Sequence, residues 1–178
     1  MYVGALGHSY DIKSVLNALA QLKEKGYHNI VFKVIGSGVL KDEFEALSKE
    51  LGLRCDFTGQ LDYGSMMEYL RFGDVAVNPI VEKSVSTIIN KVSDYAAAGI
   101  PVINTQNSDE YRNLLEEYSA GINVSCGNIE QLAGAIETLY NDPDLCKKMS
   151  EQSVQMFKDK FDRSNSYPNL VKEVARYL

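Results

Sequence analysis

The chain has 178 residues, 45% of them hydrophobic and 24% charged, enough to enclose one core in a single domain of ordinary globular composition. A formal charge of -6, with lysines scattered instead of gathered into a stripe, excludes the basic footprint of a nucleic-acid binder. No apolar run approaches the ~20 residues that span a bilayer, Met1 to Ser9 lacks the regions of a signal peptide, and Cys55, Cys126 and Cys146 form no CxxC, so a cytosolic, reduced protein is expected.

Strand-length apolar runs alternate with amphipathic stretches, the pattern of βαβ units. "MYVGAL" is a strand already under way at its first residues, which reads as a chain beginning inside a longer protein. Ile12, Val15, Leu16, Leu19 and Leu22 then fall at helical spacing over 11–25, with Gly26 as the stop. "NIVFKVIG" (29–36) is the second strand, and Phe44, Leu47 and Leu51 mark a helix ended by Gly52. "RCDFTG" (54–59) is the third strand, Met66 to Phe72 a short helix, "DVAVNPI" (74–80) the fourth strand and Ser84 to Ala98 a helix. "IPVINT" is the fifth strand, Ser108 to Tyr118 a helix and "GINVSC" (121–126) the sixth strand, with helices over about 128–141, 143–158 and 165–177 closing the chain. The expected architecture is α/β, a doubly wound open parallel sheet of about six strands with helices on both faces. Ligands of such sheets lie beyond the carboxyl ends of the strands, where helix N-termini point.

The helix expected over 84–98 carries Val85, Ile88, Ile89, Val92 and Ala96 on one face and Ser86, Thr87, Asn90, Lys91 and Asp94 on the other. Its first turn, with Ser84, Ser86 and Thr87, offers free N–H groups and hydroxyls to an anion. A plainer reading stands beside it: Ser84 as an N-cap and Lys91 with Asp94 as a solvated i,i+3 pair stabilising the helix by roughly 0.2–0.5 kcal/mol. His8 and His28 are the only histidines, no zinc-ligand cluster is present, and there is neither a serine nucleophile elbow nor a Walker loop.

"NKVSDYAAAGIPVI" resembles the K-x-x-E-Y/A-M/L-A-x-G-x-P-V-I element of family 4 retaining GT-B glycosyltransferases. Other stretches follow in the family's order: "YVGAL" with "SVLNAL" is similar to Y-V-G-R-L … L-L-x-A, "VFKVIGSG" to L-x-I-V-G-x-G, "CDFTGQL" to V-x-F-x-G-x-V, and "MMEYLRFGDVAVNP" to L-x-x-x-Y-x-x-A-D-V-x-V-x-P. The resemblance implies the Rossmann-like, carboxy-terminal donor-binding half of a two-domain enzyme, with the last helix (about 165–177) crossing back to the other domain. It implies transfer of a sugar from a nucleotide diphosphate sugar, a UDP-sugar, to a saccharide or lipid-linked saccharide acceptor with retention and without a metal or other cofactor. An isolated domain of this kind is expected to be inactive.

By the same resemblance Asp94 takes the place of the family's second acidic residue, which holds the ribose hydroxyls, and Lys91 lies near the diphosphate. Gly4, Gly7, His8 and Ser9 pass the phosphates or sugar; Gly36, Ser37 and Gly38 flank the nucleoside; Phe57 to Leu61 pass the base; Ser86 and Thr87 present N–H groups to the leaving diphosphate. His8 as a plain loop histidine and Gly36 to Gly38 as a tight turn remain alternatives. The chain departs from the pattern at Ala5 and near Tyr10, where the family carries basic residues, leaving His8, Lys13 and Lys91 as compensating candidates. It departs again at Ser86, where the family has a carboxylate; Glu82 is close but wrongly spaced. A nucleotide-sugar 2-epimerase of the same architecture and a non-catalytic Rossmann-like module are the other readings, and relatives working at a membrane face leave room for peripheral attachment of the whole protein at the inner face.

Overall fold

The computed structural model describes residues 1–82 and 88–176. Among them six short strands pair in parallel as two three-stranded sheets, β1 (Tyr2–Val3), β2 (Phe32–Ile35) and β3 (Cys55–Gly59) in one, β4 (Ala76–Asn78), β5 (Val102–Asn104) and β6 (Gly121–Asn123) in the other. Side-chain alternation sends neighbouring strand residues to opposite faces. Tyr2, Val34, Val77 and Ile103 enter one core with α1 (Ile12–Glu24), α2 (Lys41–Glu50) and α6 (Ile129–Asn141). Val3, Ile35, Ala76 and Val102 enter the other with α3 (Tyr63–Arg71), α4 (Asn90–Ala98), α5 (Asp109–Tyr118) and α7 (Pro143–Met156). Burial on both faces explains why β1, β2, β4 and β5 read as apolar runs.

The sheets meet at β1 and β4, and a side chain decides how. The Met1 amine donates to Val75 O (2.5 Å) and Val77 N–H to Met1 O (2.9 Å), so the two strands start as neighbours. One residue pair further on, Val3 N–H donates instead to the Tyr95 hydroxyl (2.9 Å), which lies 3.5 Å from both Val3 O and Val77 O. The phenol stands where the next backbone rung would form, and the expected sheet is divided there. A crevice at the point where strand order reverses is the general ligand position of this architecture. Tyr95→Phe is expected to strand the buried Val3 amide and cost about 1–3 kcal/mol, read as a lower urea midpoint. An unchanged midpoint would mean that another acceptor takes that amide.

At the carboxyl ends of the second sheet, Asn78, Asn104 and Asn123 stand level in the strand register. Asn78 Nδ2 donates to Asn104 Oδ1 (2.9 Å), Asn104 Nδ2 to Asn123 Oδ1 (2.9 Å), and Asn123 Nδ2 to Arg112 O (3.0 Å). These amides pair sideways across otherwise apolar strands.

The element order matches the sequence reading, with three differences. Helix α3 starts earlier than expected because Asp62 caps it, accepting from Ser65 N–H (3.0 Å). Helix α4 starts at Asn90: Ile89 is extended (φ -99, ψ 150), Ile88 precedes it, and Ser84 to Thr87 lie outside the described residues. Helix α7 passes into a π-helical turn (Phe157–Phe161) before α8 (Arg163–Val174), which contains Pro168.

Candidate nucleotide-binding site

Beyond β1 and β2 the loops run backbone against backbone. Gly4 N–H donates to Ile35 O (2.9 Å), Leu6 N–H to Ser37 O (2.9 Å), and Gly36 N–H to Gly59 O (2.8 Å), extending the ladder past the strands. A Cβ on Gly36 (φ +143) would stand 1.9 Å from Gly4 O, and one on Gly38 2.3 Å from Leu6 O. These two glycines are therefore demanded by chain packing itself, and Ser37 is left exposed at the rim. The next loop is open: a Cβ on Gly7 meets nothing within 4 Å, and His8 and Ser9 are exposed. Its backbone is nonetheless pinned, with Val81 N–H donating to Ser9 O (3.2 Å) and Asp11 N–H to Pro79 O (2.9 Å). Lys13 lies on the exposed side of α1 and Glu82 is exposed in the loop after β4.

Lys91 overturns the solvated-pair reading. Its side chain is 9% exposed and runs from α4 into the crevice between the sheets, where Nζ lies 3.8 Å from the centre of the Tyr10 ring and 4.4 Å from that of Tyr2. Nζ also donates to the Tyr2 hydroxyl (3.3 Å), which in turn donates to Ala5 O (2.7 Å). A Cβ on Gly4 would lie 2.9 Å from Nζ, so the bare backbone of Gly4 makes room for the ammonium. None of the ion pairs among the described residues involves Lys91. Burial, with no carboxylate to offset it, draws its pKa down to about 7.

Asp94 points elsewhere. It is half-buried, and its Oδ1 accepts from the Tyr63 hydroxyl (3.1 Å) at the start of α3, leaving Oδ2 without a protein partner among the described residues. Burial raises its pKa while the Tyr63 hydrogen bond lowers it. The helix thus presents a cation toward the β1 loop and a carboxylate toward α3, able to meet an anion and vicinal hydroxyls of one ligand.

The structure gathers Gly4, Gly36 and Lys91 around one crevice, with Gly7, His8 and Ser9 on the adjoining loop and Asp94 on the same helix as Lys91. Ser86 and Thr87 lie outside the described residues, and the amino end of the helix falls at Asn90. Sequence reasoning missed Tyr2, Tyr63 and the ring of Tyr10: it sees Tyr10 only as a lost base, and no local spacing links Tyr2 to a lysine 89 positions away. Among the described residues no group of three His, Cys, Asp or Glu side chains is placed to hold a metal. The Asp142-x-Asp144 pattern, passed over above, sits at the start of α7, where Asp142 accepts from Leu145 N–H (2.9 Å) as a cap.

The family model described as glycosyl transferases group 1 matches residues 1–156. The chain belongs to that family. Among curated relatives, it is 24% identical over 175 residues to GalNAc-alpha-(1->4)-GalNAc-alpha-(1->3)-diNAcBac-PP-undecaprenol alpha-1,4-N-acetyl-D-galactosaminyltransferase of Campylobacter jejuni, covering 98% of this chain and 47% of the relative. It is 23% identical over 166 residues to alpha-D-kanosaminyltransferase of Streptomyces kanamyceticus, covering 92% of this chain and 42% of the relative. The chain spans about half the length of the curated relatives it matches. Among solved structures, HepE of Anabaena in complex with UDP superposes with a TM-score of 0.82 at 17% identity, covering 98% of this chain and 48% of HepE. The C-terminal domain of the group 1 protein LpcC of Francisella tularensis gives 0.76 at 18% identity, covering 90% of this chain and 84% of that domain. The fold of this group 1 chain is the Rossmann-like unit of the GT-B architecture.

Proposed function

We propose that this chain is the donor-binding half of a retaining glycosyltransferase that takes a sugar from a UDP-sugar and, with a second domain, delivers it to a saccharide or lipid-linked saccharide. The observation that carries the reading is the Lys91 ammonium, buried beside Gly4 in the crevice between the sheets and unmatched by a carboxylate among the described residues. A cation so placed meets a diphosphate and offsets the charge that grows on it as the sugar departs. Asp94 then accepts from the ribose hydroxyls, with Tyr63 fixing the carboxylate. Gly7, His8 and Ser9 close over the phosphates from the adjoining loop, and Gly36, Ser37 and Gly38 form the wall beside the nucleoside.

Support for UDP comes from HepE, a structural neighbour solved with UDP and with UDP-glucose; support for a lipid-linked acceptor comes from the undecaprenol-linked saccharide in the Campylobacter relative's name. No metal enters this scheme, because Lys91 and backbone amides supply the stabilisation. No helix among the described residues is long and apolar enough to cross a membrane, and a place at the inner face of the membrane belongs to the proposal for the whole protein. The named relatives are transferases, which favours neither the 2-epimerase nor the non-catalytic reading.

Titration of the chain with UDP and with 2′-deoxy-UDP tests the reading. UDP is expected to bind more tightly than its deoxy analogue, and Asp94→Asn to lose about ten- to a hundredfold in UDP affinity while narrowing that difference, as for a hydrogen bond to a charged acceptor. Equal losses for both nucleotides would remove Asp94 from the ribose, and failure of the parent chain and the whole enzyme to bind either would remove the donor site.

A further inference from the structure

The lysine slot has a property that diphosphate binding alone does not require. Its walls are two aromatic rings from another part of the chain, and among the described residues its hydrogen-bond acceptor is a phenol. Tyr2 comes from β1 and Tyr10 from the loop that follows, and they touch edge to face with centroids 5.8 Å apart. Nζ of Lys91 lies within 4.4 Å of both ring centres. The backbone of Gly4 forms the floor. The slot thus offers the lysine ring faces and a neutral hydroxyl oxygen, with no carboxylate among the described residues to hold the ammonium form against burial.

We propose that Tyr2 and Tyr10 are positioning residues that hold Lys91 so that a donor diphosphate entering beside Gly4 binds together with one proton, taken from solvent by the lysine amine. This deepens the donor-site reading and rests on it. Among the described residues the titratable groups against Lys91 are Tyr2 from β1 and Tyr10 from the adjoining loop, with Asp94 and Tyr95 its neighbours on α4. The Tyr2 and Tyr95 hydroxyls are pushed above their ordinary range by burial and stay protonated near neutrality, and Asp94 turns its carboxylate to Tyr63. Geometry therefore leaves Lys91 as the group whose charge changes, and burial places that change at about 7. A bound diphosphate supplies the missing negative charge and raises the value again. The balance is simple: the free chain with a neutral amine, the dianionic UDP-sugar diphosphate and one solvent proton give a complex holding the ammonium.

The experiment is calorimetric titration of the chain with UDP-glucose, chosen because its diphosphate is a diester and does not titrate near neutrality as the terminal phosphate of UDP does. Affinity is expected to be level below about 7 and to fall roughly tenfold per pH unit above it, where close to one proton is taken up per ligand in buffers of different ionisation enthalpy, falling to none at lower pH. Tyr10→Phe keeps a ring face and is expected to keep this profile. Tyr10→Ala opens the slot to water, restores an ordinary lysine, and is expected to bind more weakly at low pH with a flat profile over the same range. Lys91→Met is expected to bind weakly and take up no proton. UDP-glucose that binds the parent chain with no proton uptake and a level profile would overturn this inference while leaving the donor site in place. A Tyr10→Ala profile that still falls as the parent's does would overturn the role of the ring. No binding at all by the parent chain and the whole enzyme would count against the donor site itself.

Discussion

Lys91→Met is expected to separate stability from activity. Methionine fills the same slot without a charge to desolvate, and exchanging an unmatched buried ion for a well-packed apolar chain is commonly neutral or stabilising. The folded chain should therefore unfold at the same urea concentration or a higher one. The whole enzyme carrying the change should transfer sugar about 10²–10³-fold more slowly, the usual cost of removing one preorganised group from a developing anion. The pH dependence of stability gives a second readout. Lys91 has a pKa of about 7 in the fold against an ordinary 10.5. Between those values the unfolded chain holds the proton that the folded chain has lost, so stability rises with pH through that window and the full penalty is present below it. Burial raises the hydroxyls of Tyr2, Tyr95 and Tyr111 above their ordinary 10.0, and they act in the opposite sense only beyond it. Between neutral pH and about two units higher the urea midpoint should therefore rise further in the parent than in the variant, the buried Met1 amine and other titrations contributing alike to both. Undiminished transfer by the variant would disprove the role given to this lysine.

Gly36→Ala is expected to be the most damaging single-methyl change in the loops of the site. At φ +143 a side chain is strained, and its Cβ would stand 1.9 Å from the carbonyl oxygen of Gly4, a backbone atom held in the ladder. Backbone strain of about 1–3 kcal/mol and overpacking of about 1–3 kcal/mol act together, against a total stability of roughly 5–15 kcal/mol for a domain. The denaturant midpoint should fall sharply with an unchanged slope. Gly7→Ala is the matched control, because its Cβ meets nothing within 4 Å, and its unfolding free energy should stay within about 0.5 kcal/mol of the parent's. A similar small effect at both positions would mean that the β1 and β2 loops separate readily.

What was legible in the sequence is what local chemistry settles. The alternation of apolar runs with helical spacing gave the order of elements, because β1, β2, β4 and β5 are buried on both faces and the helices on one. Asp94 and Lys91 were assigned on resemblance; their helix over 90–98 and its buried Val92 and Ala96 agree with the apolar spacing. The start of that helix was not: Ile88 and Ile89 fit the apolar periodicity, yet Ile89 is extended and only Asn90 begins the turn. The fate of Lys91 was not legible either, since helical spacing places it beside Asp94 whereas rings from the first ten residues draw it inward. Gly36 and Gly38 were read with a turn as the alternative; the demand on them comes from another loop, through contacts that spacing cannot express. The row of asparagines left a trace that was passed over: "VAVNP", "PVINT" and "GINVS" each end an apolar run on the same amide.

That row limits how β4, β5 and β6 can be aligned. Hydrophobic side chains tolerate a slide of one strand along its neighbour if the faces still match, but an amide does not. Moving β5 by a single residue would carry Asn104 away from both Asn78 and Asn123 and leave buried donors and acceptors facing hydrocarbon. The three side chains thus behave like the teeth of a key, admitting one setting of the half-sheet and thereby fixing how far each of its loops projects toward the mouth of the cleft.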